Sequence, residues 1–128
     1  MMTTPSRRPA PIRALLVDDA AQVRQDLRQL LELSGLVHVT GEAGDGLEAV
    51  RLAAELAPDV IVMDLEMPGL DGFEATRRIK AHRPAPRVVI LSVHAGAAEQ
   101  ENAQAAGADS FVVKGAPYDC LMKAILAG

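Results

Sequence analysis

Residues that can do chemistry follow four of the short apolar runs in this 128-residue sequence. Asp18 and Asp19 follow the first run, Asp64 follows the third, Ser92 ends the fourth and Lys114 follows the fifth. Carboxylates are ligands for a divalent cation, while an ammonium and a hydroxyl bind phosphoryl oxygens. If the fold brings these run ends together, the sequence predicts a site for metal-assisted phosphoryl chemistry.

Asp64 is the residue predicted to carry the reaction. Three carboxylates held close together repel one another, and each raises the pKa of its neighbours. A Mg²⁺ ion relieves this repulsion, and the predicted oxygen ligands are Asp19, Asp64 and a backbone carbonyl just past Asp64. A carboxylate held beside a metal can attack phosphorus. The inferred chemistry is therefore phosphoryl transfer onto Asp64, with Lys114 and Ser92 contacting the phosphoryl oxygens.

The apolar runs are predicted to be the strands of a parallel sheet. Each run is short and nearly continuous in apolar residues, as expected for a strand that is buried on both faces. A stretch with helical spacing follows each one, and five such alternations predict an α/β fold with a doubly wound five-stranded sheet. In the order 2-1-3-4-5, the carboxyl ends of the first and third strands are neighbours. The predicted strands are Ile12–Val17, Val37–Ala43, Val60–Met63, Val88–Leu91 and Ser110–Val113.

The composition is that of one globular domain with a net charge of −4, which argues against a dedicated nucleic-acid-binding protein. The one cysteine, Cys120, cannot form an intramolecular disulfide, and no apolar run approaches the roughly 20 residues that span a bilayer. These features predict a cytoplasmic protein without membrane contact. Residues 1–11 contain three prolines and are expected to form a disordered arm ahead of a single domain over 12–128.

Five segments, taken together and in order, resemble the receiver domain of two-component response regulators. The resemblance covers nearly all of 12–128. The sequences of its motifs most resemble those of regulators with a C-terminal helix-turn-helix output domain. It implies the flavodoxin-like receiver fold. The segments are Leu16–Asp19, Asp64–Gly72, Leu91–Ser92, Ala106–Ala108 and Phe111–Lys114.

The resemblance implies a role for each acidic residue. Asp64 matches the phosphoacceptor, which receives its phosphoryl group from a phosphohistidine of a histidine kinase or a phosphotransfer protein. Asp18 and Asp19 match the acidic pair that binds Mg²⁺ together with Asp64. Glu66 would contribute its backbone carbonyl to the same metal.

The resemblance also implies a conformational switch. Ser92 matches the small hydroxyl residue that closes on the phosphoryl group, and Lys114 matches the lysine of the motif. Phe111 stands at the position of an aromatic side chain that swings inward when Ser92 moves. The fourth helix, fifth strand and fifth helix then form the surface that a partner, or a second copy in a homodimer, contacts. This sequence departs from many receivers by having Gly115 in place of proline and Phe111 in place of tyrosine.

Two further residues are candidates for tuning the site. His94 follows Ser92 by two positions, and Glu66 follows Asp64 by two positions. Both are expected at the mouth of the site, where a side chain controls the access of water.

Three other functions remain open from the residues. One is a metal-dependent aspartyl phosphatase with Glu66 as the general acid, although 128 residues leave no room for a substrate-binding cap. A flavin-binding domain of the same topology is disfavoured, because Asp18 and Asp19 would repel the flavin phosphate. A degenerate receiver that only binds partners is the third, and the presence of competent residues at every site position argues against it.

Overall fold

The computed structural model of the protein describes residues 10–127, so most of the arm expected at 1–11 lies outside the described residues. Five parallel strands form one sheet in the order β2-β1-β3-β4-β5, which confirms the predicted order and fold class. The strands are β1 (Ile12–Val17), β2 (Val37–Ala43), β3 (Val60–Met63), β4 (Arg87–Ser92) and β5 (Ser110–Val113).

Five helices connect or follow the strands. They are α1 (Ala21–Leu33), α2 (Gly46–Leu56), α3 (Gly72–Ala81), α4 (Ala97–Ala106) and α5 (Tyr118–Leu126). Asp45 and Asp71 cap α2 and α3, because each side chain accepts a hydrogen bond from the backbone N–H three residues on. Ala20 and Gly96 precede α1 and α4 without any side-chain cap.

Both faces of the sheet are buried, as the continuous apolar strands predict. In β1, Ala14 and Leu16 join a core cluster with α1 and α5 residues, while Leu15 and Val17 join a second cluster with residues of α2, α3 and α4. This division follows from the alternation of side chains along a strand. Among the described residues, none of the helices has the length and hydropathy needed to cross a membrane.

Strand β4 is one residue longer at each end than the predicted Val88–Leu91. Its first residue, Arg87, donates its backbone N–H to Asp59 O at 3.0 Å. Its last residue, Ser92, pairs with Val113 of β5. Backbone pairing therefore extends into polar positions that an apolar pattern does not mark.

The register of the sheet brings the carboxyl ends of three strands to one edge. Asp18 donates its N–H to Ala43 O, Asp64 donates to Val17 O, and Lys114 donates to Ser92 O. Each of these hydrogen bonds extends the pairing of two neighbouring strands by one residue, beyond the last residue of β1, β3 or β5. The polar residues that follow β1 and β3 consequently leave the sheet side by side, and Lys114 leaves it at the same end, from a strand that β4 separates from β3.

Candidate functional site

Three carboxylates converge at this edge of the sheet. Asp18, Asp19 and Asp64 each offer a carboxylate oxygen, and these oxygens all lie within 4.8 Å of one another. Asp18 and Asp64 are buried, with 4% and 7% of their surface exposed, whereas Asp19 is exposed. The structure thus brings together the acidic residues that the sequence singled out, with one carboxylate open to solvent.

Lys114 is in direct contact with this cluster. Its Nζ lies 2.9 Å from Asp18 Oδ2 and 3.6 Å from Asp64 Oδ2. Burial opposes the charged form of Lys114, but its hydrogen bond to Asp18 and the charges of Asp64 and Asp18 outweigh that effect. The pKa of Lys114 is therefore raised above its ordinary value, and the side chain carries a full positive charge.

The environment of Asp64 disfavours its charged form, whereas that of Lys114 favours its charged form. Burial raises the pKa of Asp64, the charge of Lys114 lowers it, and the charge of Asp18 raises it further, so that the pKa is raised overall. The backbone N–H of Glu66 donates to Asp64 Oδ1 at 3.3 Å. An additional cation beside these oxygens would stabilise the ionised form.

The donor set fits a hard divalent cation. Three carboxylates and one ammonium leave two negative charges unbalanced at short range, and every candidate ligand atom is an oxygen. Oxygen donors and an open coordination side suit Mg²⁺, which retains several waters. Asp19 provides the solvent-facing carboxylate.

Ser92 lies at the same edge, where β4 ends. The residue is fully buried, and its Oγ accepts a hydrogen bond from the backbone N–H of His94 at 3.1 Å. Ser92 also lines a shallow cleft between the β3–α3 and β4–α4 loops together with Met67, Glu66 and His94. Ser92 thus lies behind the wall of this cleft, with its hydroxyl shielded from solvent.

Glu66 and His94 are in direct contact across this cleft. His94 Nε2 lies 2.6 Å from Glu66 Oε1, although both side chains are more than half exposed. The sequence places each residue near the mouth of the site, but nothing in their spacing indicates that they meet. The contact bridges the loops that follow β3 and β4.

Phe111 and Gly115 lie on β5 and just after it. Phe111 is half-buried, is paired with Ile90 and packs against the core cluster on the α2–α3–α4 side of the sheet. Gly115 has a φ of +93°, a conformation that glycine adopts readily and that proline cannot adopt. The backbone conformation at position 115 therefore suits glycine and excludes the proline that many receivers have there.

Arg24 is a site-associated residue that sequence reasoning missed. Its Nη1 donates to the backbone carbonyl of Asp18 at 2.6 Å, and its Nε donates to Glu42 Oε1 at 3.0 Å. The helical pattern of α1 marks Arg24 only as a polar position, and its reach to the end of β1 depends on packing that periodicity does not describe.

The comparisons with known proteins agree with this fold. The family model described as "Response regulator receiver domain" matches residues 14–126. The chain belongs to that family, and it is accordingly a signalling module of the two-component type, in which phosphorylation governs output.

The chain is similar to proteins with different outputs. It is 51% identical over 81 residues to the transcriptional regulatory protein LiaR of Bacillus subtilis (strain 168), a match that covers 63% of this chain and 38% of LiaR. It is 46% identical over 106 residues to a protein-glutamate methylesterase/protein-glutamine glutaminase of Symbiobacterium thermophilum, covering 81% of this chain and 29% of that protein. The matched regions thus span about a third of these curated relatives.

A solved structure has the same architecture. The two-component response regulator of the LuxR family from Aurantimonas sp. SI85-9A1 superposes with a TM-score of 0.87 at 42% identity, covering 92% of this chain and 84% of that one. The fold and the family are therefore established, while the residue roles rest on the geometry of this site.

Proposed function

We propose that this domain is a phosphorylation-dependent switch that accepts a phosphoryl group on Asp64. The observation that carries the proposal is the convergence of three carboxylates within 4.8 Å, two of which Lys114 contacts. The proposed donor is a phosphohistidine of a histidine kinase or a phosphotransfer protein. The domain itself would catalyse only its own phosphorylation and dephosphorylation.

Mg²⁺ is the proposed cofactor. The residues that would hold it are Asp18, Asp19 and Asp64, with the backbone carbonyl of Glu66 as a further ligand. When bound, the metal neutralises charge on the carboxylates and on the transferring phosphoryl group. The all-oxygen donor set and the unbalanced negative charge support this assignment.

The proposed transfer step needs only groups that the site supplies or the donor brings. A carboxylate oxygen of Asp64 attacks phosphorus, a new O–P bond forms, and the N–P bond of the phosphohistidine breaks with its electron pair leaving on the imidazole. Lys114 would contact one phosphoryl oxygen as a point charge, and the distance of 3.6 Å between its Nζ and Asp64 Oδ2 supports this role. The hydroxyl of Ser92 contacts another.

The proposed output is a change in the surface formed by α4, β5 and α5. Ser92 moves toward the phosphoryl group, and Phe111 follows it inward because the two residues lie on the paired strands β4 and β5. Such a change shifts a population between two states rather than creating a new one. The altered surface then controls a partner, a homodimer contact or an attached output domain.

Glu66 and His94 are proposed to tune the lifetime of the phosphoryl group. Their contact spans the cleft whose lining includes Ser92. A closed bridge restricts the path by which water reaches the phosphoryl group. The proposed site of action is the cytoplasm, and the proposal includes no contact of this domain with nucleic acid or membrane, in keeping with its net charge of −4.

The proposal is tested by intact mass after incubation with Mg²⁺ and acetyl phosphate. We expect one added phosphoryl group in the wild-type protein and none in Asp64→Asn or in a sample treated with a chelator. Asp45→Asn is a matched control, because Asp45 caps α2 and contributes nothing to the acidic cluster. An adduct that persists in Asp64→Asn would refute Asp64 as the acceptor.

A further inference from the structure

Arg24 connects three parts of the molecule close to the acidic cluster. From the second turn of α1 it reaches the carbonyl of Asp18 at the end of β1 and the carboxylate of Glu42 on β2. The side chain is only 18% exposed. A guanidinium suits this position, because its planar fork donates in two directions at once, which a lysine ammonium on a flexible stem does less well.

The carbonyl that Arg24 binds belongs to the peptide unit that joins Asp18 to Asp19. Every other polar atom of Asp18 is also engaged: its N–H donates to Ala43 O, its Oδ1 accepts from Ala20 N, and its Oδ2 accepts from Lys114. Asp19 follows directly and is exposed. The orientation of Asp19 thus depends on the peptide plane that Arg24 holds.

The start of α1 has few side-chain restraints on this turn, one of them being the bond from the Ala20 N–H to Asp18 Oδ1. Ala20 occupies the N-cap position and makes no side-chain capping bond, in contrast to the Asp caps of α2 and α3. A side-chain cap would normally fix the path of the chain into a helix. Here the bond from Arg24 to the Asp18 carbonyl restrains the Asp18–Asp19 peptide from the helix side, in addition to the bond between the Ala20 N–H and Asp18 Oδ1.

The charge of Arg24 is partly offset by a carboxylate that lies outside the acidic cluster. Glu42 accepts from Arg24 Nε at 3.0 Å through one oxygen and from Arg28 Nη1 at 2.7 Å through the other. Because Glu42 is shared between two arginines, its carboxylate offsets only part of the positive charge of Arg24, which would otherwise oppose a cation at the neighbouring carboxylates more strongly. This arrangement lets a cationic side chain restrain the acidic pair with less repulsion toward a metal.

From these contacts we infer that Arg24 is a positioning residue that pre-orders Asp18 and Asp19 for a divalent cation. The inference rests on the proposed function, since it concerns the same metal site. Residues that orient metal ligands through hydrogen bonds contribute about 10- to 100-fold to metal affinity in other proteins. A residue that merely tied α1 to β2 would affect stability alone.

The test is calorimetric titration with Mg²⁺ alone at 25 °C, with the melting temperature of each variant recorded in parallel. For Arg24→Gln we expect the Kd for Mg²⁺ to rise about tenfold. Arg28→Gln is the matched control, because it also loses a contact to Glu42 but none to Asp18. Its Kd should stay within about twofold of the wild-type value.

Arg24→Lys covers the case in which Arg24→Gln does not fold. The lysine keeps the charge but lacks the fork, so we expect its Kd to rise as well. An unchanged Kd in a folded Arg24 variant, even with a lower melting temperature, would overturn the inference and leave the proposed function intact. Failure of the wild-type protein to bind Mg²⁺ would overturn both.

Discussion

At the scale of single residues, the site depends on contacts that differ greatly in exposure. Lys114 and Asp18 meet where little water competes, and the side chain of Asp18 is 5% exposed. Glu66 and His94 meet at 2.6 Å with side chains 61% and 57% exposed. A pair that is this exposed contributes little to stability, so its effect should lie in access to the site.

Opening the Glu66–His94 bridge should shorten the life of the phosphorylated form. For Glu66→Gln we expect the phosphoryl group to be lost a few-fold faster, because water reaches Asp64 more freely, while the free energy of unfolding changes by less than about 0.5 kcal/mol. The decay of the intact-mass adduct after removal of the donor measures the rate. Glu55→Gln, which opens the exposed Arg51–Glu55 pair far from this cleft, is the control. Equal decay in Glu66→Gln and wild type would contradict the tuning role.

The sequence predicts the identity of the site residues better than their contacts. Asp18, Asp19 and Asp64 could be predicted because each follows a buried strand, and strand ends meet at one edge in this topology. The reach of Arg24 to Asp18 could not, since a long side chain can lie in many directions from one helical position. The meeting of Glu66 with His94 depends on two loop conformations that no periodicity describes.

At the scale of elements, the turn between β3 and α3 is held by close backbone packing. A Cβ on Gly72 would clash with the carbonyl oxygen of Asp64 and would lie 2.8 Å from Leu65 Cα. These are backbone atoms, so they cannot give way as a flexible side chain would. The first turn of α3 therefore touches the residue that is proposed to react.

Gly72→Ala should disturb both stability and reaction. We expect a loss of about 1–3 kcal/mol in the free energy of unfolding, because the added methyl group overpacks the turn. Slower phosphorylation by acetyl phosphate should accompany it, since Asp64 is displaced. Gly96→Ala is the control, because the Cβ there meets only the mobile end of Glu99. Urea unfolding and intact mass provide the two measurements, and wild-type behaviour of Gly72→Ala in both would refute this account of the turn.

A second element-scale restraint lies at the opposite edge of the sheet. Lys80 of α3 donates to Asp109 at 2.6 Å, and Asp109 also accepts from the backbone N–H of Val88 at the start of β4. Burial raises the pKa of Asp109, but the hydrogen bonds from Lys80 and Val88 outweigh it, and the pKa is lowered overall from 3.8. The ionised carboxylate thus ties α3, β4 and the turn before β5 together.

This restraint should depend on pH in a defined direction. A pKa that is lower in the folded protein gives stability that is present above the ordinary value of 3.8 and is lost as the pH falls through the folded-state value. We expect Asp109→Asn to cost roughly 1–2 kcal/mol at pH 7, and to cost progressively less below about pH 4. Urea unfolding at several pH values measures the difference. A cost that does not change with pH would show that the charge is irrelevant.

The boundaries of the elements follow from the sequence where composition changes sharply. Four of the five strands have the predicted bounds, because each apolar run is flanked by a turn or helix signal. Strand β4 is the exception, since Arg87 and Ser92 pair through their backbones while carrying polar side chains. Pairing with a neighbouring strand, rather than side-chain hydropathy, sets its ends.

At the scale of the whole molecule, the sheet separates two hydrophobic core clusters, one on each face. The candidate site lies at the carboxyl ends of the strands. Strand β5 connects the acidic site with the proposed output surface of α4, β5 and α5. Lys114 of the site follows β5 directly, and Phe111 lies within it. Strand β5 also pairs with β4, which ends at Ser92. Under the proposed function, a displacement at the site would be transmitted along these two paired strands toward α4 and α5.

Under the proposed function, phosphorylation of Asp64 changes the surface formed by α4, β5 and α5. The most direct measurement is a ¹H–¹⁵N NMR comparison of the protein with and without Mg²⁺ and beryllofluoride, which stands in for the phosphoryl group. We predict that amide shifts change at Asp64, Ser92 and Lys114 and extend to Phe111 and residues of α4 and α5, and that Asp64→Asn abolishes them. Shift changes confined to the carboxyl ends of the strands would contradict the account.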